Sequence, residues 1–362
     1  MTRLRGALAA LLVAACTGEL TGPALPTDRL ALYRQVWSDL DRHYSLFVVK
    51  GIDWDSLGAV HEVAAESATT DAALADAIGA LLAELRDVHV TLYTPGRTYA
   101  YAGFDGRPDL FAPSVVQTWY LYDAAVGPNR RLEYGRLAPD IGYVWIPSFG
   151  GTGFGSDLDA ALLALGDVQA LVLDVRDNGG GDSRNSLEIA SRFADRQRTY
   201  AYARYRDGPG HGDYGPRIPL GVSPAPAVYA GTVAVLTNRK DYSSTEDFVL
   251  AMRTAPRAVI VGDSTGGALG NPLIHELANG WTYRFSEWIE TGLDGVVVEE
   301  VGLAPDVWVR GSEAALQAGH DAILDTAIAV LRRGPPFPQP ARALATSSVS
   351  RGTTSNRSPT MP

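Results

Sequence analysis

The chain has 362 residues, of which 46% are hydrophobic and 20% charged, an ordinary globular composition with ample material for a core. Its 31 basic and 41 acidic residues give a formal net charge of −10 at pH 7. That balance excludes a nucleic-acid-binding function, because no basic stripe is present to neutralise phosphates. A single cysteine excludes disulfides within the chain and a cysteine-rich zinc site.

The N-terminal segment predicts export. Arg3 and Arg5 precede an apolar stretch over residues 6–15, which has the length of a signal-peptide core and is too short to span a bilayer. The stretch ends in Val-Ala-Ala-Cys at Cys16, which resembles the lipobox of bacterial lipoproteins, where the cysteine is lipidated. We therefore expect a lipoprotein signal over residues 1–16 and a membrane-anchored protein of the bacterial cell envelope that faces the periplasm or the exterior. The alternative is a plain secretory signal in which Cys16 is incidental.

Helical periodicity dominates the next part of the chain. A polar tether over residues 17–27 leads into a predicted helical domain over residues 28–95. Its three expected helices begin near Leu30, Leu57 and Asp71. Residues 96–138 are rich in Gly, Tyr and Pro and predict a short β-rich connector, with a strand-like piece over 115–122.

Strands and helices then alternate in a predicted core over residues 139–333. The expected strands lie at 141–146, 170–175, 233–237 and 258–261, followed by a hairpin over 273–285 that turns at Asn279-Gly280. The expected helices lie at 157–165, 186–194, 244–253 and 313–332. Residues 334–362 consist mainly of Pro, Ser, Thr and Ala without an acid, which predicts a disordered tail.

Four segments contain the residue types that catalysis needs: Leu85–His89, Asp174–Gly181, Ser243–Glu246 and Val298–Asp306. A serine between a buried strand and a helix lies where free N–H groups favour negative charge, which suits a nucleophile, although such a serine is more often an N-cap. A glycine triplet after a buried strand lets the backbone approach a ligand, but also fits a loop that needs positive φ. Each segment alone is therefore weak evidence.

Together and in this order, the segments resemble the C-terminal processing (tail-specific) serine protease family. The matching residues are Leu85, Asp87 and His89; Asp174, Arg176, Asn178, Gly180 and Gly181; Ser243 and Glu246; Gly262, Thr265 and Gly267; and Gly302, Pro305 and Asp306. The resemblance implies a mixed α/β fold with a ClpP/crotonase-like spiral ββα core behind the small helical domain. It also implies a serine-type peptidase that acts on peptide or unfolded protein substrates without a cofactor or a metal.

Two branches of the family differ in the catalytic base. In the Ser–Lys branch the lysine follows the Gly-x-x-Thr motif, where this chain has Ala268. The only lysines are Lys50, in the helical domain, and Lys240, in a polar loop, and neither is at the family position. The chain instead resembles the branch that is similar to the tricorn core, which uses Ser, His and Glu.

The resemblance therefore assigns Ser243 as nucleophile, His89 as general base and Glu299 as the residue that orients the imidazole. Glu300 is the rival of Glu299; on a strand, adjacent side chains point to opposite faces, so only one could reach the histidine. The N–H groups of Gly180 and Ser244 are expected to form the oxyanion hole. The expected supporting residues are Arg176, Asn178, Gly181, Glu246, Thr265 and Gly267.

Two alternatives stay open. Only about 45 residues separate Thr94 from Ile141, too few for the PDZ domain that many members carry, and some relatives bind apolar ligands without proteolysis. The protein could thus be a lipid-anchored module that binds a peptide or an apolar ligand. The Gly-x-Ser-x-Gly pattern around Ser264 suggests an esterase, but the Gly- and Pro-containing residues behind it disfavour the helix that such a nucleophile requires. The oligomeric state and the physiological substrate are not predicted.

Overall fold

The computed structural model describes residues 28–103, 107–108 and 110–334. The predicted signal with Cys16, the tether up to residue 27 and the tail from residue 335 lie outside the described residues. No helix in the described part of the chain is long and apolar enough to cross a membrane.

Four helices open the described chain: α1 (Arg29–His43), α2 (Phe47–Lys50), α3 (Trp54–Glu66) and α4 (Asp71–Ala83). The three longer helices begin at side-chain caps, in which Asp28, Asp53 and Thr70 accept backbone N–H groups of the first turn. Their buried faces carry mainly apolar residues such as Leu40 and Ile78, as the helical spacing predicted.

The connector contains strands and one unexpected helix. Strand β1 (Thr91–Tyr93) lies just before it, and its own elements are β2 (Thr98–Ala100), α5 (Pro113–Trp119), β3 (Tyr122–Val126) and β4 (Glu133–Ala138). The strand-like interpretation of residues 115–122 is wrong for most of its length. Pro113 occupies the first turn, where its missing N–H costs nothing, and Val116 is buried, so the segment forms a helix instead.

The core continues the alternation that the sequence predicts. Its first part contains β5 (Ile141–Trp145), α6 (Phe154–Leu165), β6 (Ala170–Asp174), α7 (Ser183–Ala190), β7 (Arg198–Tyr205), β8 (Ile218–Val222), β9 (Thr232–Thr237), α8 (Ser244–Arg253) and β10 (Ala258–Gly262). The second part contains β11 (Pro272–Glu276), β12 (Thr282–Ser286), β13 (Trp288–Gly292), β14 (Val307–Trp308), α9 (Glu313–Gln317) and α10 (Ala322–Arg333). The last predicted helix is interrupted at Gly319, whose φ is +81°, and restarts where Asp321 caps α10.

A seven-stranded sheet in the order β14-β10-β9-β6-β5-β4-β3 organises the core. The five strands from β14 to β5 are parallel, whereas β4 pairs antiparallel with β5 and β3 pairs antiparallel with β4. Both faces of its central strands are covered: Leu171 and Leu173 pack with α6, α7 and α8, while Val172 packs with α10 on the other side. This confirms the mixed α/β class.

Two smaller sheets complete the fold. The sheet β11-β12-β1-β2 includes the predicted hairpin, and the N-terminal helices pack against it, since Tyr283 and Phe285 of β12 share a buried cluster with Leu40 and Ile78. The sheet β13-β7-β8 was not predicted from the sequence. The domain boundaries at residues 95 and 139 remain predictions.

Candidate active site

Three loops meet at one edge of the large sheet. Because β6, β9 and β10 are adjacent and parallel, their carboxyl ends lie at the same edge, where α/β folds commonly place their sites. The loop after β6 contains the glycine triplet, the loop after β9 leads to Ser243, and the loop after β10 contains Thr265 and Gly267. Three of the predicted motifs are therefore brought together by strand topology.

Ser243 has an unusual backbone conformation. It directly precedes α8 with φ +60° and ψ −133°, a region that non-glycine residues seldom occupy and that is concentrated at functional sites. The side chain is half-buried and makes no capping hydrogen bond to the helix. The N-cap interpretation of this serine is therefore not supported, and its hydroxyl is left for chemistry.

Glu246 ties the nucleophile loop to the loop after β10. Its buried carboxylate accepts hydrogen bonds from the Thr265 hydroxyl (2.6 Å), the Gly267 N–H (2.9 Å) and the Ala268 N–H (2.9 Å). The Ala268 carbonyl in turn accepts the Ser243 N–H at 2.8 Å. Burial raises the pKa of Glu246 to about 7, although the three donors favour its charged form. The Ser-x-x-Glu spacing thus couples the backbone of Ser243 to a buried anchor one turn away.

Gly180 packs directly against the nucleophile. A Cβ at this glycine would lie 2.8 Å from the Ser243 Cβ, and its φ of +90° also favours glycine. Its N–H, however, already donates to the Asn178 Oδ1 at 2.8 Å, so this structure does not present it as an oxyanion donor. The Ser244 N–H belongs to the first turn of α8, where no intrahelical acceptor exists, and it can bind an oxyanion.

The other supporting residues hold the loop after β6. Arg176 is fully buried and binds Asp174 (2.6 Å) and Asp321 (2.8 Å), while its guanidinium stacks on Phe111. Asn178 donates to the Ile146 carbonyl at 2.9 Å. A Cβ at Gly181 would lie 2.3 Å from the Phe149 carbonyl carbon, so only glycine fits. These residues position the loop rather than contact Ser243.

His89 lies beside the nucleophile loop with both ring nitrogens buried and without a hydrogen-bond partner among the described residues. Its ring centroid is 6.4 Å from that of Tyr242, the residue before Ser243. The nearest ion-pairing carboxylate is that of Asp87, whose Oδ1 is 3.6 Å from Nδ1 and accepts the His89 backbone N–H at 2.8 Å. The imidazole is therefore buried, and neither of its nitrogens is hydrogen-bonded to Ser243 or to a carboxylate.

Asp87 is the buried anion of this neighbourhood. Its Oδ2 accepts hydrogen bonds from the Ser286 hydroxyl (2.9 Å) and the Tyr44 hydroxyl (3.2 Å). Burial acts to raise the pKa of Asp87, but His89 and Lys50 outweigh burial and lower it to about 2. Asp87 is therefore ionised at neutral pH, beside the imidazole that would become charged during catalysis.

Glu299 is buried, and its neighbour Glu300 is exposed. Both residues lie in a turn rather than on the strand that the sequence analysis assumed; Glu300 has φ +63°, and the Val301 N–H donates to the Val298 carbonyl. The Glu299 Oε1 is 2.6 Å from the Lys50 Nζ, and Oε2 accepts the Leu269 N–H at 3.1 Å. Glu299 thus binds a lysine and a backbone amide here, and not the His89 ring.

Burial and the nearby Asp87 raise the pKa of Glu299 to about 7, although the Lys50 ammonium acts in the opposite direction. For Lys50 itself, burial favours the neutral form, but Glu299 and Asp87 outweigh it and raise the pKa. A lysine held in its charged form cannot accept the proton of a serine hydroxyl.

A cavity of about 160 Å³ opens beside these groups. Lys50, Glu299 and Tyr101 line it together with Gly267 and Ala268, the segment that holds the Ser243 backbone. A polar space next to a nucleophile is suited to part of a peptide substrate.

Ser264, the alternative nucleophile, has neither of the features that an α/β-hydrolase nucleophile requires. No helix follows it, and the N–H of the next residue, Thr265, which would have to bind the oxyanion, donates to the Leu303 carbonyl at 3.2 Å. The esterase interpretation is therefore wrong. Within the described ranges, no three His, Cys, Asp or Glu side chains form a group that could hold a metal ion.

Comparison with known proteins identifies the family of this chain. Residues 140–309 match the model of peptidase family S41, and residues 26–83 match that of the tricorn protease C1 domain. The solved structure of a candidate peptidase from Parabacteroides merdae is 33% identical in sequence to this chain. The match has a TM-score of 0.74 and covers 83% of this chain and 95% of that one. The chain belongs to peptidase family S41. The predicted relationship to C-terminal processing serine proteases is confirmed.

Two further proteins that are similar to this S41 protein are processing peptidases. Carboxyl-terminal-processing peptidase 3 of Arabidopsis thaliana is 31% identical over 177 residues, which cover 48% of this chain and 32% of that protein. The chain thus spans about a third of the length of this curated relative. The photosystem II D1 C-terminal processing protease is 17% identical and shares the fold, with a TM-score of 0.53 over 78% of this chain and 94% of that one.

Sequence reasoning missed the closeness of Lys50 to the site. It placed this residue in the helical domain, away from the core, but α2 brings it to Glu299. The rarity of lysine was the available signal, since one of only two lysines in the chain is buried at this position.

Proposed function

We propose that this S41 protein is a serine endopeptidase or processing protease of the cell envelope, with Ser243 as nucleophile, His89 as general base and Glu299 as the carboxylate that supports the base. The single observation that carries the proposal is Ser243 itself. Its strained backbone, its free hydroxyl at the start of α8 and its place directly after Tyr242, whose ring centroid is 6.4 Å from that of the buried His89, suit a nucleophile and have no evident structural use.

The reaction follows from these groups. His89 takes the hydroxyl proton as the Ser243 Oγ attacks the peptide carbonyl, and the Ser244 N–H binds the resulting oxyanion. The imidazolium then protonates the leaving amine, the C–N bond breaks and an acyl-enzyme remains on Ser243. Water, deprotonated by His89, attacks the ester and releases the acid and the free serine.

The protonation of His89 requires negative charge close to a desolvated ring. Asp87 lies 3.6 Å from Nδ1, and Glu299 is a second buried carboxylate of the site. Hydrogen bonds between catalytic groups are often long without substrate and tighten when substrate binds. The unpartnered ring nitrogens of His89 are consistent with such a resting site.

Labelling with a fluorophosphonate probe tests the nucleophile. We expect the purified wild type to label and to cleave casein, Ser243→Ala to lose both activities, and Ser264→Ala to keep both. His89→Ala should lose turnover, whereas Lys240→Ala should keep most of it. Labelling that survives Ser243→Ala would overturn the assignment, and a folded wild type that neither labels nor cleaves would favour the binding module.

The anchoring of this peptidase is a separate part of the proposal and rests on the Arg-flanked apolar stretch that ends at Cys16. We expect the expressed protein to incorporate a radioactive fatty acid and to sediment with membranes. Cys16→Ser should lose the label and enter the soluble exported fraction. Membrane association without acylation in Cys16→Ser would contradict lipidation at this residue.

A further inference from the structure

Lys50 is nearly completely buried at the edge of the candidate active site. It is the last residue of the four-residue helix α2, which Gly51 ends in a left-handed conformation, and its side chain is 1% exposed. A buried ammonium is costly unless it is paired and hydrogen-bonded. Its partners therefore indicate why a lysine is present at this position.

All three donors of the Lys50 ammonium have acceptors. The Nζ is 2.6 Å from the Glu299 Oε1, 3.3 Å from the Glu300 Oε1 and 3.3 Å from the Arg86 carbonyl oxygen. The Arg86 guanidinium in turn donates to the Lys50 carbonyl at 3.3 Å. The arrangement suits a permanent cation and leaves no lone pair for proton transfer.

Two carboxylates would otherwise share this desolvated space. Glu299 and Asp87 are both buried and each raises the cost of ionising the other, since like charges at short range oppose each other. The Lys50 ammonium acts on both of them. The other titratable or charged groups that face the pair or share its cavity are Tyr44, Arg86, His89, Tyr101, Arg107 and Glu300.

We propose that Lys50 is a positioning residue of the active site: from the N-terminal helices it holds the Glu299 carboxylate in place and in its ionised form beside His89. The inference rests on the proposed Ser–His–Glu mechanism. It gives the helical domain a catalytic purpose, because the cation that supports the base comes from α2 and not from the protease core.

The pH dependence of Ser243 acylation tests this role. Without its cation, Glu299 should keep its proton to higher pH. Lys50→Met should therefore move the acid limb of the pH–rate profile for acylation to higher pH by about one unit or more. At a pH on that limb, the acylation rate should be roughly tenfold lower than in the wild type. Lys50→Arg should restore most of the wild-type profile. Lys240→Met, which removes the other lysine, should leave the limb unmoved.

A direct titration of Glu299 tests the role of Lys50 without measuring turnover, and a second variant at position 50 guards against failure of the first to fold. The ¹³C carboxyl signal of Glu299, assigned by its loss in Glu299→Gln, should titrate about one pH unit higher in Lys50→Met. Lys50→Gln, which fills the space without the charge, should give the same displacement if Lys50→Met does not fold. An unmoved Glu299 midpoint in either variant would overturn the role of Lys50.

The same measurements separate the two proposals. If the wild type shows no acylation of Ser243 but the Glu299 midpoint still depends on Lys50, the proposed mechanism fails and the ion pair is structural. If acylation of Ser243 proceeds and its acid limb is the same in wild type and Lys50→Met, only the inference about Lys50 fails.

Discussion

At the scale of single residues, the site depends on close approach of backbone segments more than on side-chain contacts. Gly180 lies against Ser243, and a Cβ at Gly267 would lie 2.7 Å from the Gly302 N. The turn that contains Glu299 is also tied to this segment, because the Glu300 N–H donates to the Gly267 carbonyl at 2.8 Å. Gly180 and Gly267 are thus explained by the close packing of backbone segments in the site.

Gly180→Ala should lower the rate of Ser243 acylation at least tenfold, because the new methyl would lie 2.8 Å from the Ser243 Cβ and 2.9 Å from the Tyr242 carbonyl oxygen and would displace the nucleophile. The positive φ itself costs roughly 1–2 kcal/mol of stability. Fluorophosphonate labelling rates and thermal unfolding measure the two effects separately.

Gly280→Ala is the matched control for this change. Gly280 has a similar φ of +81° in the β11–β12 turn, but a Cβ there meets nothing within 4 Å. It should show a comparable loss of stability with unchanged acylation. Equal acylation rates in the two variants would mean that the approach of Gly180 to Ser243 is not important.

At the scale of secondary-structure elements, helix α8 connects the nucleophile to a second buried carboxyl pair. Asp247 accepts hydrogen bonds from the Ser183 hydroxyl (2.6 Å) and the Tyr200 hydroxyl (3.2 Å). Glu290 on β13 is buried beside it, and neither of its carboxyl oxygens has a donor among the described residues. Burial, and for Glu290 also the adjacent Asp247, raise the pKa of both carboxyls.

This pair predicts a loss of stability in alkali. Because both pKa values are raised in the folded state, the stabilisation is complete below the ordinary carboxyl pKa and is lost as pH rises through the folded values. Glu290→Gln removes one ionisation and keeps a donor toward Asp247. At pH 9 the free energy of unfolding of this variant should exceed that of the wild type by about 1.4 kcal/mol for each unit by which folding raises the pKa of Glu290.

Thermal unfolding from pH 5 to pH 9 measures this difference. The Tm of the wild type should fall more steeply than that of Glu290→Gln, by about 2–4 °C per kcal/mol. Glu66→Gln, an exposed position on α3, should follow the wild-type curve. Parallel curves for the wild type and Glu290→Gln would contradict a raised pKa of Glu290 in the folded protein.

At the scale of the whole molecule, the N-terminal helices and the β11–β12 hairpin form one buried cluster. Leu40 of α1 belongs to the same cluster as Tyr283 and Phe285, and the Ser45 N–H donates to the Ser286 carbonyl at 3.2 Å. The helices therefore stabilise the site and also contribute the charged side chain of Lys50 to it. Their unfolding should remove the active site.

Leu40→Ala should destabilise the protein by about 2–5 kcal/mol, because it opens a cavity in a completely buried position. The loss of near-ultraviolet circular dichroism and the loss of Ser243 labelling should occur at the same, lower temperature. Val60→Ala, on the exposed face of α3, is the control and should change the Tm little. Labelling that persists after the near-ultraviolet signal is lost would contradict this coupling between the helices and the site.

The main elements of the core follow from local patterns. The nearly all-apolar segment 170–174 predicts a strand covered on both faces, and Asn279-Gly280 between two strand-like runs predicts a hairpin. The predictions fail where tertiary contacts decide: residues 113–119 form a helix because Val116 finds a buried position, and β7 and β13 are strands because they pair with each other.

Residue types and their spacing are sufficient to predict the order of the motifs, the protease family and the position of Ser243 between a buried strand and a helix, because these are local properties. The surroundings of Glu299 depend instead on tertiary contacts: it lies in a turn, bound to Lys50 and the Leu269 N–H, while Asp87 lies nearest to the His89 Nδ1. Such ion pairs join residues far apart in the chain, and their energy depends on burial that no local pattern specifies.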